Sequence, residues 1–123
     1  MSVPSLTPRS IPEFLKKDEI VNATALQIMK DFAMFGLSIT YSGIPENAYT
    51  ELLEQIVNQV SVLINSDDRR LFAVLYQVDI SEKAIVKSQI DYPHYNRIEA
   101  ISHQIIEREL KKVLFRLYYK KQT

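Results

Sequence analysis

The chain has 123 residues, 46% hydrophobic and 24% charged, with 15 basic side chains against 15 acidic ones. This is the composition of a globular domain, and a chain of this length buries about two-thirds of its unfolded surface without help from a metal or a disulfide. Cysteine is absent, which excludes disulfide scaffolds, thiol nucleophiles, iron–sulfur clusters and thiolate zinc sites, and fits a reducing, cytoplasmic setting. No apolar run approaches the ~20 residues of a membrane helix, and no signal-peptide stretch opens the chain.

In chain order, residues 1–12 carry Pro4, Pro8 and Pro12, so they read as a flexible arm rather than a helix or central strand. Residues 13–123 read as one helical domain. Pro12 suits the start of a short turn over Glu13, Phe14 and Leu15. From Asp18, the apolar residues Val21, Ala25, Ile28, Phe32 and Phe35 recur at helical spacing. Gly36 is placed to end this helix in the left-handed conformation, with Leu37 folding back on its last turn. Leu37 to Tyr41 alternates like a strand but has nothing to pair with, unless two copies pair across a dimer axis. An extended connector closed by Ser42-Gly43-Ile44-Pro45 is expected instead.

Pro45 and Glu46 open a second helix whose stripe runs through Tyr49, Leu52, Leu53, Ile56, Val57, Val60, Leu63 and Ile64. Asn65-Ser66-Asp67 breaks the pattern and caps a third, carrying Leu71, Phe72, Leu75, Tyr76 and Val78. Asp79 and Glu82 have the spacing of a capping box for a short fourth helix over Ala84, Ile85 and Ser88. Tyr92-Pro93 marks a loop. The last and longest helix runs from about Arg97 to about Tyr119, with Ile98, Ile101, Ile105, Ile106, Leu110, Val113, Leu114 and Leu117 as its buried face. The fold class is all-α, a compact bundle of four to five helices in which the stripes over 49–64 and 98–117 pair at the centre.

The run Leu71-Phe72-Ala73-Val74-Leu75-Tyr76-Gln77-Val78-Asp79-Ile80-Ser81-Glu82, followed by Ile105-Ile106-Glu107-Arg108-Glu109, resembles a family of small uncharacterised bacterial helical proteins. These carry a Leu-Tyr-Arg-Ile-Asp-Val-Ser-Glu-like segment and a similar C-terminal helix. Gln77 departs from that pattern, which has a basic residue there. The resemblance covers about residues 20–118, implies an all-α fold, and transfers no functional residue.

Overall neutrality hides a polarised charge distribution. Residues 44–65 hold Glu46, Glu51 and Glu54 and no base, whereas residues 107–123 hold Arg108, Lys111, Lys112, Arg116, Lys120 and Lys121 against Glu107 and Glu109. Basic residues suit a helix C-terminus, yet Lys111, Lys112, Arg116, Lys120 and Lys121 also form a candidate basic patch for nucleic acid, with Tyr118 and Tyr119 for stacking.

Signals for catalysis are sparse. His103 has Glu99 and Glu107 four residues away on either side, one face of a helix, which is most simply an exposed i, i+4 network. Three ligands on one helix cannot converge on one ion, and Ser102 stands where a Glu-x-x-His pair would need its histidine. With two glycines in the chain, no nucleophile elbow or phosphate-cradling loop is present. Asp67-Asp68-Arg69-Arg70 lacks the ligand alternation and glycine of a calcium loop. Tyr76, Tyr92, Tyr95 and His94 could line a small-molecule groove, but such residues more often pack a ring and expose a polar tip.

The expectation is a protein that is not an enzyme, binds no cofactor or metal, and acts as a protein-interaction or adaptor module that self-associates. Its candidate interface comprises Phe32, Met34 and Phe35 together with Glu51 and Glu54 on the acidic second helix. Met34 lies off the stripe of Ile28, Phe32 and Phe35, which makes the first helix apolar over more than one face. Nucleic-acid binding through the basic C-terminal helix is the alternative.

Overall fold

Gly36 sets the first corner. In the computed structural model, which describes residues 17–122 with side chains through Leu117, α1 (Asp18–Ala33) ends where Gly36 takes φ +72°. The Gly36 amide donates to the Ala33 carbonyl at 3.0 Å and the Leu37 amide to the Phe32 carbonyl at 3.1 Å, which together make a Schellman ending. Leu37 is buried against the core, as the motif requires. The Arg70 guanidinium adds a positive charge at this C-terminus by donating to the Phe35 carbonyl through Nη2 and through Nε at 2.7 Å. A Cβ on Gly36 would come within 2.9 Å of Arg70 Nη2. Gly36→Ala is therefore expected to cost about 1–2 kcal/mol from the left-handed backbone alone, with Arg70 displaced as well. Urea denaturation would show it as a lower midpoint, and an unchanged midpoint would contradict this corner's role.

The connector over residues 37–44 forms no strand. Leu37 and Ile39 are buried and Tyr41 half-buried, as the alternation implies. Its backbone at Ser38, Thr40 and Ser42 is bonded by a row of side chains at i, i+4 and i+8, Glu51, Gln55 and Gln59. Gln55 Oε1 accepts from the Thr40 amide at 2.8 Å and Gln55 Nε2 donates to the Thr40 carbonyl at 2.6 Å. Gln59 Nε2 reaches the Ser38 carbonyl at 3.2 Å, and Glu51 accepts from the Ser42 amide at 2.9 Å. One helix thus replaces the missing strand partner.

A 3-10 turn over Pro45–Asn47 leads into α2 (Ala48–Ser66), so the α-helix begins just after the proline rather than at it. Asp67 then caps α3 (Asp68–Val78), its side chain accepting from the Arg70 amide at 3.2 Å. The end of α3 corrects the expected capping box. Asp79 takes the left-handed conformation at φ 71°, with amide bonds Asp79 to Tyr76 at 3.1 Å and Ile80 to Leu75 at 2.9 Å. It closes α3 and does not open the next helix. Arg108 holds the Asp79 carboxylate at 2.8 Å and keeps its pKa below the usual range. Ser81 is the real cap of α4 (Glu82–Asp91), accepting from the Ala84 amide at 3.1 Å.

Asn96 starts α5 (Arg97–Gln122) in a reciprocal capping box with Glu99: the Glu99 amide donates to Asn96 Oδ1 at 2.8 Å and the Asn96 amide to Glu99 Oε1 at 3.0 Å. The described residues thus form five α-helices without a strand, an all-α bundle as expected. The long last helix packs against each of the other four. Ala100 through His103, Ile105 to Glu107, Glu109, Leu110 and Val113 are all buried, so α5 is buried on nearly every side and forms the axis of the fold. Val21, Ala25, Ile28 and Phe32 of α1 and Leu52, Ile56, Val60 and Leu63 of α2 close over it. The predicted arm (1–12) and the turn over Glu13 to Leu15 lie outside the described residues.

Candidate interaction surface

The amphipathic pattern of α3 presents two adjacent apolar faces, only one of which is buried. Leu71, Val74, Leu75 and Val78 form its buried face. Phe72 and Tyr76, expected on the stripe, point the other way and are 57% and 89% exposed. They stand one turn apart on a single face. Phe72 also stands at a cleft of about 180 Å³ between α2, α3, α4 and α5, lined by Ile64, Leu71, Leu75, Ile85 and Ile101. Asp68, Glu82 and Arg97 supply charge around it, and Arg97 Nη2 meets Glu82 Oε1 at 3.1 Å. No ion-pair partner reaches Asp68 among the described residues.

The expected interface residues separate into different roles. Phe32 is wholly buried and belongs to the core, which removes it from any docking surface. Met34, just past the end of α1, is 59% exposed, and Phe35 is half-buried against the core. Glu51 is occupied by the connector, as both of its oxygens bind Ser42. Glu54 stays exposed beside a shallow depression shared with Leu53, Val57 and Asn58.

The basic stripe does not form as expected over its described part. Lys111 turns toward Glu107 at 3.5 Å, while Lys112 turns inward to Glu109 at 3.1 Å and Asp31 at 3.8 Å. Consecutive residues on a helix diverge by about a hundred degrees, so they serve different clusters. Arg116 is exposed and donates to Gln27 Oε1 at 3.1 Å. The side chains of Tyr118, Tyr119, Lys120 and Lys121 lie outside the described residues.

His103 is a second correction: its network is buried, not exposed. The ring sits in the core with Tyr49 Oη 3.3 Å from Nδ1 and Glu107 Oε2 3.6 Å from Nε2. Tyr92 and Tyr95 meet it edge-on at 5.0 and 5.7 Å. Burial lowers the imidazole pKa to about 4, so His103 is neutral and packs as an aromatic. Burial also raises the pKa of Glu107, and that of Tyr92 to about 12. Glu99 is spent on the helix cap. Tyr92, His94 and Tyr95 do come together, but Tyr92 and Tyr95 pack on His103 while the exposed His94 meets Tyr95 at 5.5 Å.

A further buried cluster joins α1 and α5. Asp31 of α1 and Glu109 of α5 are both buried. Gln27 Nε2 donates to Asp31 Oδ1 at 3.1 Å, and Lys112 bridges to α3 through the Gln77 carbonyl at 3.3 Å. Burial, then the neighbouring Asp31, raises the Glu109 pKa to about 8 against the pull of Lys112. Two ionised carboxylates are acceptors only and cannot satisfy each other, so burial beside Asp31 favours the protonated form of Glu109; Asp31 Oδ2 and both Glu109 oxygens find no hydrogen-bond partner among the described residues. Among the described residues, no three His, Asp or Glu side chains are grouped to hold a metal ion, and no helix is long and apolar enough to cross a membrane.

Comparison with protein-family models, with curated proteins and with solved structures finds no match for this chain.

Proposed function

We propose that the chain is a non-catalytic, cytoplasmic protein-interaction module that self-associates. The observation that supports this reading is the outward face of α3, where Phe72 and Tyr76 stand exposed one turn apart beside an apolar cleft. Large aromatic side chains gathered on one exposed face are the usual composition of a protein–protein contact centre. The clusters of ionisable groups do not compete with it. Each is enclosed by the helices, with Lys112 reaching Glu109 and Asp31, while Asp31 Oδ2, both Glu109 oxygens and His103 Nε2 find no hydrogen-bond partner among the described residues.

The test is size-exclusion chromatography with light scattering over a dilution series. A dimer or larger assembly that dissociates on dilution is the expected result. A monomer at every concentration would contradict self-association.

A further inference from the structure

We infer that the partner at the α3 face is a second copy of this chain, docked about a two-fold axis so that Phe72 of each protomer enters the cleft of the other. The inference rests on the proposed self-association and adds the surface and its register.

The argument begins with size. An apolar cavity of about 150 Å³ is enough to take up benzene, and this cleft offers about 180 Å³. Its floor, including Leu75, Ile85 and Ile101, is made of branched aliphatic side chains, which suit a phenyl ring. Phe72 is such a ring, 57% exposed, at the edge of that same cleft. A knob beside its own hole cannot fill it within one chain, since the residue already forms part of the wall. A two-fold axis sets a patch against itself, so that each knob meets the other protomer's hole.

Charge points to the same partner. The cleft is bordered by Asp68 on α3, Glu82 on α4 and Arg97 on α5, and Arg97 meets Glu82 at 3.1 Å. Asp68 is the charge left without an ion-pair partner among the described residues, so a docked surface has to set a base opposite it. In an isologous contact, Asp68 of one copy can face Arg97 of the other, and the pair then occurs twice. Arg97 already meets Glu82, but at a site where both side chains remain accessible, 45% and 65%, so its guanidinium can serve two carboxylates.

The experiment measures the dimer dissociation constant by analytical ultracentrifugation for the wild type, Phe72→Glu, Asp68→Arg, Arg97→Asp and the double reversal Asp68→Arg/Arg97→Asp, with circular dichroism on each. Expected are folded variants, a dimer weakened on the order of 30-fold or more by Phe72→Glu, weakening by each single reversal, and recovery in the double reversal. A Phe72→Glu protein that dimerises like the wild type overturns this surface and leaves self-association standing. A double reversal no tighter than the single ones overturns the two-fold register. A wild-type monomer at every concentration overturns the proposed self-association and this inference with it.

Discussion

Replacing Phe32 by alanine is expected to lower stability by about 3–5 kcal/mol, the usual cost of deleting a phenyl ring from a filled core. Phe32 has no accessible surface and is among the largest fully buried side chains of the fold. It lies in the Schellman ending of α1, where its carbonyl takes the Leu37 amide, so an empty site there loosens both the helix end and the packing against α5. Against a total stability of about 5–15 kcal/mol for a domain of ordinary size, such a loss leaves little margin. Met34, two positions on, gives the contrast. It is 59% exposed, so Met34→Glu should stay within about 0.5 kcal/mol of the wild type. Urea denaturation of the two variants separates core from surface at the end of α1. Equal effects would contradict the assignment.

The second large effect is a pH dependence centred on Glu109. Its pKa rises from an ordinary 4.5 to about 8 in the fold, so between those values the folded chain holds a proton that the unfolded chain has lost. Stability therefore falls as pH rises through that window. His103 acts oppositely: its pKa drops from 6.5 to about 4, the unfolded chain binds the extra proton in between, and stability rises with pH there. The two slopes oppose each other between about pH 4.5 and 6.5, and only the carboxyl slope continues above that range. Glu107, raised by burial, acts with the same sign as Glu109. The wild type is expected to lose on the order of 1–2 kcal/mol between pH 6.5 and 8. Glu109→Gln keeps an amide that can donate to Asp31 without a proton to lose, and it should flatten the profile over that interval. Thermal melts of both proteins at a series of pH values test this. A wild type that gains stability from pH 6.5 to 8 would overturn the buried-proton account, as would a variant that keeps the full slope.

Much of the fold could be read from the chain because its punctuation is local. Gly36, Asp67 and Tyr92-Pro93 each act within a few residues, and the stripes of α2 and α5 are long enough to fix their faces. Asp79 is ambiguous in the sequence because an aspartate suits both a cap and the left-handed position that closes α3. Only Arg108, distant in sequence, decides for the latter by holding the Asp79 carboxylate at 2.8 Å. The burial of His103 had the same origin. A helix packed against all the others buries most of its middle turns, so polar residues there go inward, and spacing alone cannot say which helix takes that place.

The buried acid pair did leave a mark in the sequence. Asp31 falls three residues after Ile28, and Glu109 lies midway between Ile105 and Val113, both within apolar stripes where a lone acid is out of place. The proposed interaction surface was hidden for the opposite reason. Phe72 and Tyr76 share a helix with Leu71 and Leu75 at offsets of one residue, and hydrophobicity cannot rank two adjacent apolar stripes until the neighbours of α3 are known.

Hydrogen–deuterium exchange of the wild-type protein at low and high concentration maps the proposed α3 contact. Protection is expected to rise with concentration in α3 and in the parts of α4 and α5 that border the cleft, around Phe72, Ile85 and Arg97. Protection that does not change with concentration would contradict it, as would a rise confined to other faces of the bundle.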